Sequence, residues 1–238
     1  MAAFSAALVA AAAQRLAGHL VATPLIGTPW LGVGAVHADV RWKPEVLQPG
    51  GSALFRGYQH FLLRQLGRCA GLVWHGPAAQ LLAAALAAHQ HRLTLQAFCE
   101  EPIADGLRLL LPPEVTVHAK GGAVAAAAMA QKLGHVLLAP GHPEVLIGIA
   151  TIGSDLARDL PQSCQRVYAD AALVDAIAAG LAAAGRPLPV TFAEAAVLPG
   201  LASALWLGHG IHAGDAALRV LSAALAEPAG SCTGAVLG

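Results

Sequence analysis

The stretch Lys43-Pro44-Glu45-Val46-Leu47-Gln48-Pro49-Gly50-Gly51-Ser52-Ala53-Leu54-Phe55-Arg56-Gly57 (KPEVLQPGGSALFRG) decides how the chain is read. Before it, Ala38 to Trp42 alternates apolar and polar residues, the period-two pattern of a strand with two different faces. Gln48-Pro49-Gly50-Gly51-Ser52 is a turn followed by a helix start. Ser52 is the natural N-cap, because its hydroxyl can accept from the free amides of the first helical turn. The helix then carries Phe55, Tyr58, Phe61, Leu62 and Leu66, brings along Arg56 and Arg64, and ends near Gly67.

This stretch resembles the segment around the catalytic lysine in pyridoxal-phosphate enzymes of the serine/threonine dehydratase family. The family pattern is roughly K-x-E-x-x-Q-P-x-G-S-F-K-x-R-G, and its lysine after Ser-Phe holds the cofactor as a Schiff base. Lys43, Glu45, Gln48, Pro49, Gly51, Ser52, Arg56 and Gly57 match. The lysine position is Leu54, preceded by Ala53. The resemblance implies a frame that is kept and a nucleophile that is replaced.

Composition narrows the reading further. The chain has 238 residues, 56% hydrophobic and 12% charged, which excludes disorder. Lys+Arg and Asp+Glu are equal at 14 each, so no basic footprint points to nucleic acid. The apolar residues are largely Ala and Leu in helical blocks. No purely apolar run reaches about 18 residues, so no membrane span is expected. The N-terminal MAAFSAALVAAAAQRLAGHL lacks a basic segment before its apolar run. It reads as an alanine-rich helix over 3–19 rather than a secretory signal, ended by Thr23-Pro24-Leu25. Cys69, Cys99, Cys164 and Cys232 show no metal-like spacing and read as free buried thiols of a reducing cytoplasm.

After the quoted stretch, the chain alternates strand and helix. Strands are expected at Leu93 to Phe98 and Val115 to His118, and the resemblance places a further strand at the start of Gly71 to Gln80, ahead of its loop. Helices are expected at Leu81 to His89, Ile103 to Leu110 and Gly121 to Leu133. A further short extended piece is expected at Leu31 to Val36. This is the parallel-sheet signature.

The resemblance extends over most of the chain. It places a carboxylate-clamping S-S-G-N-H-A-Q loop at Trp74-His75-Gly76-Pro77-Ala78-Ala79-Gln80. Gly76, Ala79 and Gln80 match, but Pro77 has no N–H, and Trp74 replaces a small residue. Glu100-Glu101-Pro102 is similar to the family's strand-ending segment. His142 to Leu156 resembles D-P-x-x-I-x-G-Q-G-T-I-x-x-E-I, with Gly148, Thr151 and Ile152 matching and Asp155 in place of the glutamate. The family's tetraglycine phosphate loop falls on Val167 to Val174, where no glycine remains and Asp170 would repel a phosphate. The resemblance resumes near Val190 to Ala195 and at Glu227-Pro228-Ala229-Gly230-Ser231. The chain stops at Gly238, so the segment facing the pyridine nitrogen is expected to be missing.

Other chemistry is thinly signalled. The remaining lysines are Lys43, which matches a separate family lysine, and Lys120 and Lys132, which flank a helix and read as solvated. His209-x-x-His212 with Asp215 has metal-like spacing, but its glycines argue for a loop. His89-Gln90-His91 is a helix end, where His complements the dipole. His75 sits where the substrate loop falls.

The resemblance implies an α/β chain of fold type II pyridoxal-enzyme architecture, with parallel or mixed sheets flanked by helices. Residues 1–63 and 141–238 would form a large domain, and 64–140 a small domain inserted in it. Ser52, Leu54, Arg56, Trp74, His75, Gly76, Gln80, Thr151, Asp155 and Asp170 would line the cleft between them. No catalytic residue, metal or bound pyridoxal phosphate is expected. The expected role is a catalytically degenerate binding, regulatory or partner protein, a homodimer or heteromer in the cytoplasm, with a small molecule as a further ligand of the cleft. The alternatives are a lyase-like or cofactor-free enzyme using the same cleft, and a small-molecule sensor or carrier.

Overall fold

The computed structural model describes residues 4–27, 39–118, 121–192, 215–227 and 231–237. The elements, in chain order, are α1 (Ala6–Leu16), β1 (Ile26–Gly27), β2 (Asp39–Pro44), α2 (Leu54–Gln65), β3 (Gly71–Gly76), α3 (Ala78–Gln90), β4 (Thr94–Cys99) and α4 (Asp105–Leu110). They continue with β5 (Val115–His118), α5 (Ala123–Leu133), β6 (Val136–Leu138), α6 (Pro143–Asp159), β7 (Cys164–Ala169), α7 (Val174–Ala183), β8 (Val190–Phe192), α8 (Asp215–Leu225) and β9 (Cys232–Leu237). Two 3-10 turns, Glu45–Leu47 and Pro49–Gly51, join β2 to α2.

One sheet has the order β5-β4-β3-β6 and is wholly parallel, with Leu72 opposite both Leu95 and Val136. Its central strand β3 buries every residue but His75, as a parallel strand covered on both faces must. The other sheet runs β1-β2-β9-β7-β8. It is mixed, because β1 pairs antiparallel with β2 while the remaining pairs are parallel. The expected strands near 38–42, 93–98 and 115–118 are present, and the strand that the resemblance places after Gly71 runs on to Gly76, through residues it assigns to the loop. The expected helix over 3–19 is shorter, starting on Ser5, whose side chain accepts the Leu8 amide at 3.3 Å. The expected piece Leu31 to Val36 lies outside the described residues.

Helices α2 and α6 join the two sheets. They cross where Gly57 and Gly148 face each other: a β-carbon on Gly148 would lie 2.7 Å from the Arg56 carbonyl, and one on Gly57 would lie 2.6 Å from Val145. Two of the glycines that carry the sequence resemblance are thus the contact point of two backbones. The turn before α2 is fixed in the same way. Gly50 is left-handed (φ 77°), and its β-carbon would strike the Ala83 backbone of α3 at 2.8 Å. One continuous core then runs from Leu54, Phe55 and Tyr58 of α2 through Trp74 and Leu81 to Ile149 and Ile152 of α6. No helix among the described residues is long and apolar enough to cross a membrane.

Candidate functional site

The quoted stretch delivers a turn and the start of α2. The residue directly before α2 is Ala53, already helical, and Ser52, extended one residue earlier, accepts the Leu54 amide on its Oγ at 3.2 Å. Leu54 is 6% exposed and belongs to the main core. One turn further, Tyr58 is fully buried and its hydroxyl donates to Gln80 at 3.5 Å. Burial pushes the Tyr58 phenol far up, with the Trp74 indole pulling weakly the other way. Trp74 is also fully buried. A β-carbon on Gly76 would meet the Trp74 and Pro140 rings, both at 3.0 Å. Around Leu54, therefore, stand an apolar helix start, a phenol held neutral and a packed indole.

Two loops end on the chain's own carboxylates. Helix α3 begins after Pro77, which offers no side-chain cap. Its first amide, Ala78 N–H, donates instead to Glu101 Oε1 at 2.7 Å. A helix N-terminus attracts anions through its free amides and its dipole, and here Glu101 supplies one. Between β7 and α7, Asp170 Oδ1 accepts the Ala172 amide at 3.0 Å and its carbonyl accepts that of Leu173 at 2.9 Å. These are the loops that the resemblance aligns with the carboxylate clamp and the phosphate nest.

The charges of the quoted stretch form a buried network. Arg56 grips Glu45 with two hydrogen bonds of 2.7 Å, and Nη1 donates to Asp155 at 2.9 Å. Thr23 Oγ1 donates to Glu45 at 2.6 Å, and Lys43 Nζ donates to the Thr23 carbonyl at 2.9 Å. Lys43 also lies 3.5 Å from Asp155. Gln48 Nε2 donates to Glu45 and to the Val21 carbonyl, and Gln48 Oε1 accepts the Val21 amide. Glu45 is 0% and Arg56 5% exposed. Burial works to lower the Arg56 pKa, but the Glu45 and Asp155 carboxylates outweigh it and raise it. Thr151 completes the arrangement by donating to the Gly148 carbonyl at 2.6 Å. The network pins the chain between α1 and β1 to the α2–α6 crossing, and a cavity of about 270 Å³ opens beside it.

No family model matches the sequence, and no curated protein matches it. Solved structures do. A pyridoxal 5′-phosphate-dependent aspartate racemase superposes with a TM-score of 0.81 at 15% identity, covering 98% of this chain and 94% of that one. Serine racemase from Dictyostelium discoideum gives 0.82 at 14%, covering 100% and 98%. Threonine deaminase isoform 2 from Solanum lycopersicum gives 0.76 at 15%, covering 99% and 85%. The chain has the fold of type II pyridoxal-phosphate enzymes.

Within this type II fold, the sequence-predicted residues divide into three groups. Arg56, Thr151 and Asp155 meet in the buried network. Leu54, Trp74, Gly76 and Gln80 gather around Tyr58 and the start of α3, with Ser52 just ahead of α2. His75 points elsewhere: it lines a cavity of about 570 Å³ over the carboxyl ends of β3, β4 and β5. Cys99 lines the same cavity, and its thiol is pushed up by burial and by Glu101. Asp170 stands at the start of the turn before α7. Among the described residues no group of His, Cys, Asp or Glu could hold a metal ion. His209 and His212 lie outside those residues, as does Lys120. His89 and His91 have other partners, Glu114 at 3.0 Å and Gln59 at 2.8 Å. All four cysteines are free, Cys164 and Cys232 buried and the other two half-buried. The sequence reading missed Glu101 as the α3 cap. The signal was present in Pro77, because a helix start without Ser, Thr, Asp or Asn needs an acceptor from elsewhere.

Proposed function

We propose that this protein is a catalytically degenerate type II chain that acts as a binding, regulatory or partner subunit. The observation that carries the reading is Leu54, buried at the start of α2 in the position that the resemblance assigns to the Schiff-base lysine. A Schiff base needs an amine there, and Lys43 cannot supply one. Its ammonium is buried, donates to the Thr23 carbonyl and faces Asp155 and Glu45. The residues present do not fit the phosphate of the cofactor either, because Asp170 places a carboxylate on the Ala172 amide. Exposed Leu109 and Val124, 87% and 85% accessible, support assembly with a second copy or another protein.

The test is spectroscopic. Purified protein incubated with pyridoxal phosphate and desalted should carry no visible Schiff-base band, and borohydride should fix no cofactor mass to it. It should release no keto acid from L-serine or L-threonine. A band that survives desalting and is fixed by borohydride would overturn the reading.

A further inference from the structure

Cys164 begins β7 and Cys232 begins β9, and the two are direct partners in the parallel pairing of these strands. Neighbouring strands lie about 4.8 Å apart, inside the roughly 4.4–6.8 Å that a disulfide spans between its α-carbons. The two side chains also share a face. Both cysteines enter the main core with Val167 and Ala169 of β7 and Val236 of β9, while Tyr168, Ala235 and Leu237 belong to the second core. The pairing slips by one residue between Cys164 and Arg166, which is why Cys164 and Val167, three positions apart, face the same way.

Both are free thiols, Cys164 3% and Cys232 5% exposed. The next position on this face of β9 is Gly234, where a β-carbon would meet Val167 at 3.1 Å and Leu160 at 3.3 Å, so the wall beside the pair is aliphatic. Burial pushes the Cys164 thiol up to about 11, and the Cys232 thiol beside it adds to the rise. The thiolate is the reactive form, so the pair reacts slowly at neutral pH, and its burial shuts out bulky reagents. A small oxidant meets two sulfurs at once, and the slipped pairing next to Cys164 leaves the backbone room to adjust as they join.

We propose that Cys164 and Cys232 are a redox-sensitive pair that a small hydroperoxide closes into a disulfide, locking β9 to β7. One thiolate attacks the peroxide, the O–O bond breaks, and a sulfenic acid forms as hydroxide leaves and takes up the proton. The second thiol attacks that sulfur, the S–O bond breaks, and water leaves. Two thiols and one hydrogen peroxide thus give one disulfide and two waters, the sulfurs being oxidised and the peroxide oxygens reduced. The bond holds residues 164–232 in one covalent loop through α7, β8 and α8, and such a loop restricts the unfolded chain. The device lies outside the Leu54 cleft and stands whether or not the protein binds a cofactor.

The test treats the reduced full chain with hydrogen peroxide, blocks the remaining thiols, and reads the digest by mass spectrometry beside a thermal unfolding curve. A peptide joining Cys164 to Cys232 should appear, and the midpoint should rise by about 5–10 °C. Dithiothreitol should release the peptide and return the midpoint. Cys164→Ala and Cys232→Ala should each abolish both changes. Should either fail to fold, the double variant Cys69→Ser, Cys99→Ser decides the matter, because it keeps the buried pair alone and must still show the linked peptide and the shift. Peroxide that leaves Cys164 and Cys232 as thiols, or oxidises them without joining them, overturns the proposal. So does a linked peptide with no rise in the midpoint.

Discussion

The carboxylate of Glu101 accepts the amide of Ala78, the first residue of α3, at 2.7 Å. The two residues stand on the loops that leave neighbouring parallel strands, β3 and β4, whose ends Gly76 and Cys99 are in register. A residue beyond β4 can therefore reach the helix that follows β3. Pro77 makes the reach necessary, since it brings neither a capping side chain nor an N–H. Asp170 does the same over a shorter distance, from the start of its own turn to Ala172. Both loops that the resemblance assigns to external anions thus hold internal ones.

Glu101→Ala should remove the side-chain acceptor that serves the first amide of α3. A lost cap costs about 1 kcal/mol, so at a urea m-value of about 1–3 kcal/mol/M the midpoint should fall by roughly 0.3–1 M. Glu101→Gln keeps an acceptor without the charge and should cost less. An unchanged midpoint in the alanine variant would mean that water serves the amide equally well.

Glu45 and Arg56 should behave as one unit. Removing one partner of a buried pair leaves an uncompensated charge and costs about 3–5 kcal/mol. Glu45→Ala and Arg56→Ala should each approach that figure in denaturant unfolding. The double variant should cost much less than their sum, because the stranded charge is gone. Additive losses would show that the two side chains act separately.

Stability should fall as pH drops through the histidine range, and His60 is the main reason. It is 1% exposed, Nε2 accepts from Arg15 at 2.9 Å, and Nδ1 donates to the Glu144 carbonyl at 2.8 Å. The Glu144 carboxylate lies 3.5 Å away, and it also pairs with Arg64. Burial lowers the His60 pKa below 6.5; the Glu144 contacts raise it, and the Arg15 and Arg64 charges add to the lowering. The unfolded chain therefore binds the proton first, so stability is full above about 6.5 and is lost as pH falls toward the folded value. Protonation also removes the acceptor that docks α1 through Arg15. Thermal unfolding measured from pH 8 to pH 5 should show this decline, and His60→Gln should flatten it. His91, lowered by burial and by His19, adds a smaller slope in the same direction.

The alternation of elements was legible where helices were long and alanine-rich, as in α3 and α5, and where a strand was largely apolar, as in β3. The sequence was silent on β6, three residues that follow the left-handed Gly134 cap of α5 after one intervening residue, where too few residues remain to display a period. The charged frame was legible as a pattern and not as a contact. Glu45 and Arg56 are eleven residues apart, and Asp155 lies ninety-nine beyond Arg56, so only the folded α2–α6 crossing brings them together. Spacing alone therefore does not tell which contacts a charged residue makes: Arg56, Thr151 and Asp155, expected along the cleft, are joined in a network that ties the α1–β1 segment to the core and borders a cavity of about 270 Å³.

Leu54→Lys alone should not produce dehydratase activity. The substitution supplies an amine at the start of α2, but a Schiff base is useful only when the cofactor and substrate are also held. The Asp170 carboxylate on Ala172 opposes a phosphate, Glu101 occupies the Ala78 amide, and Trp74 is packed against Gly76 and Pro140. Positioning supplies about 7–11 kcal/mol of a barrier, so an amine without these contacts should leave most of the rate unrecovered. The lysine would also replace a core residue, and an ammonium in apolar surroundings is costly unless its pKa falls. The variant should therefore unfold at a lower denaturant concentration than the wild type. The measurement is keto-acid release from L-serine and L-threonine with added pyridoxal phosphate, run beside an unfolding curve. Turnover at ordinary enzyme rates would mean that Glu101 and Asp170 yield to ligands, and that the type II cleft of this chain is intact apart from one residue.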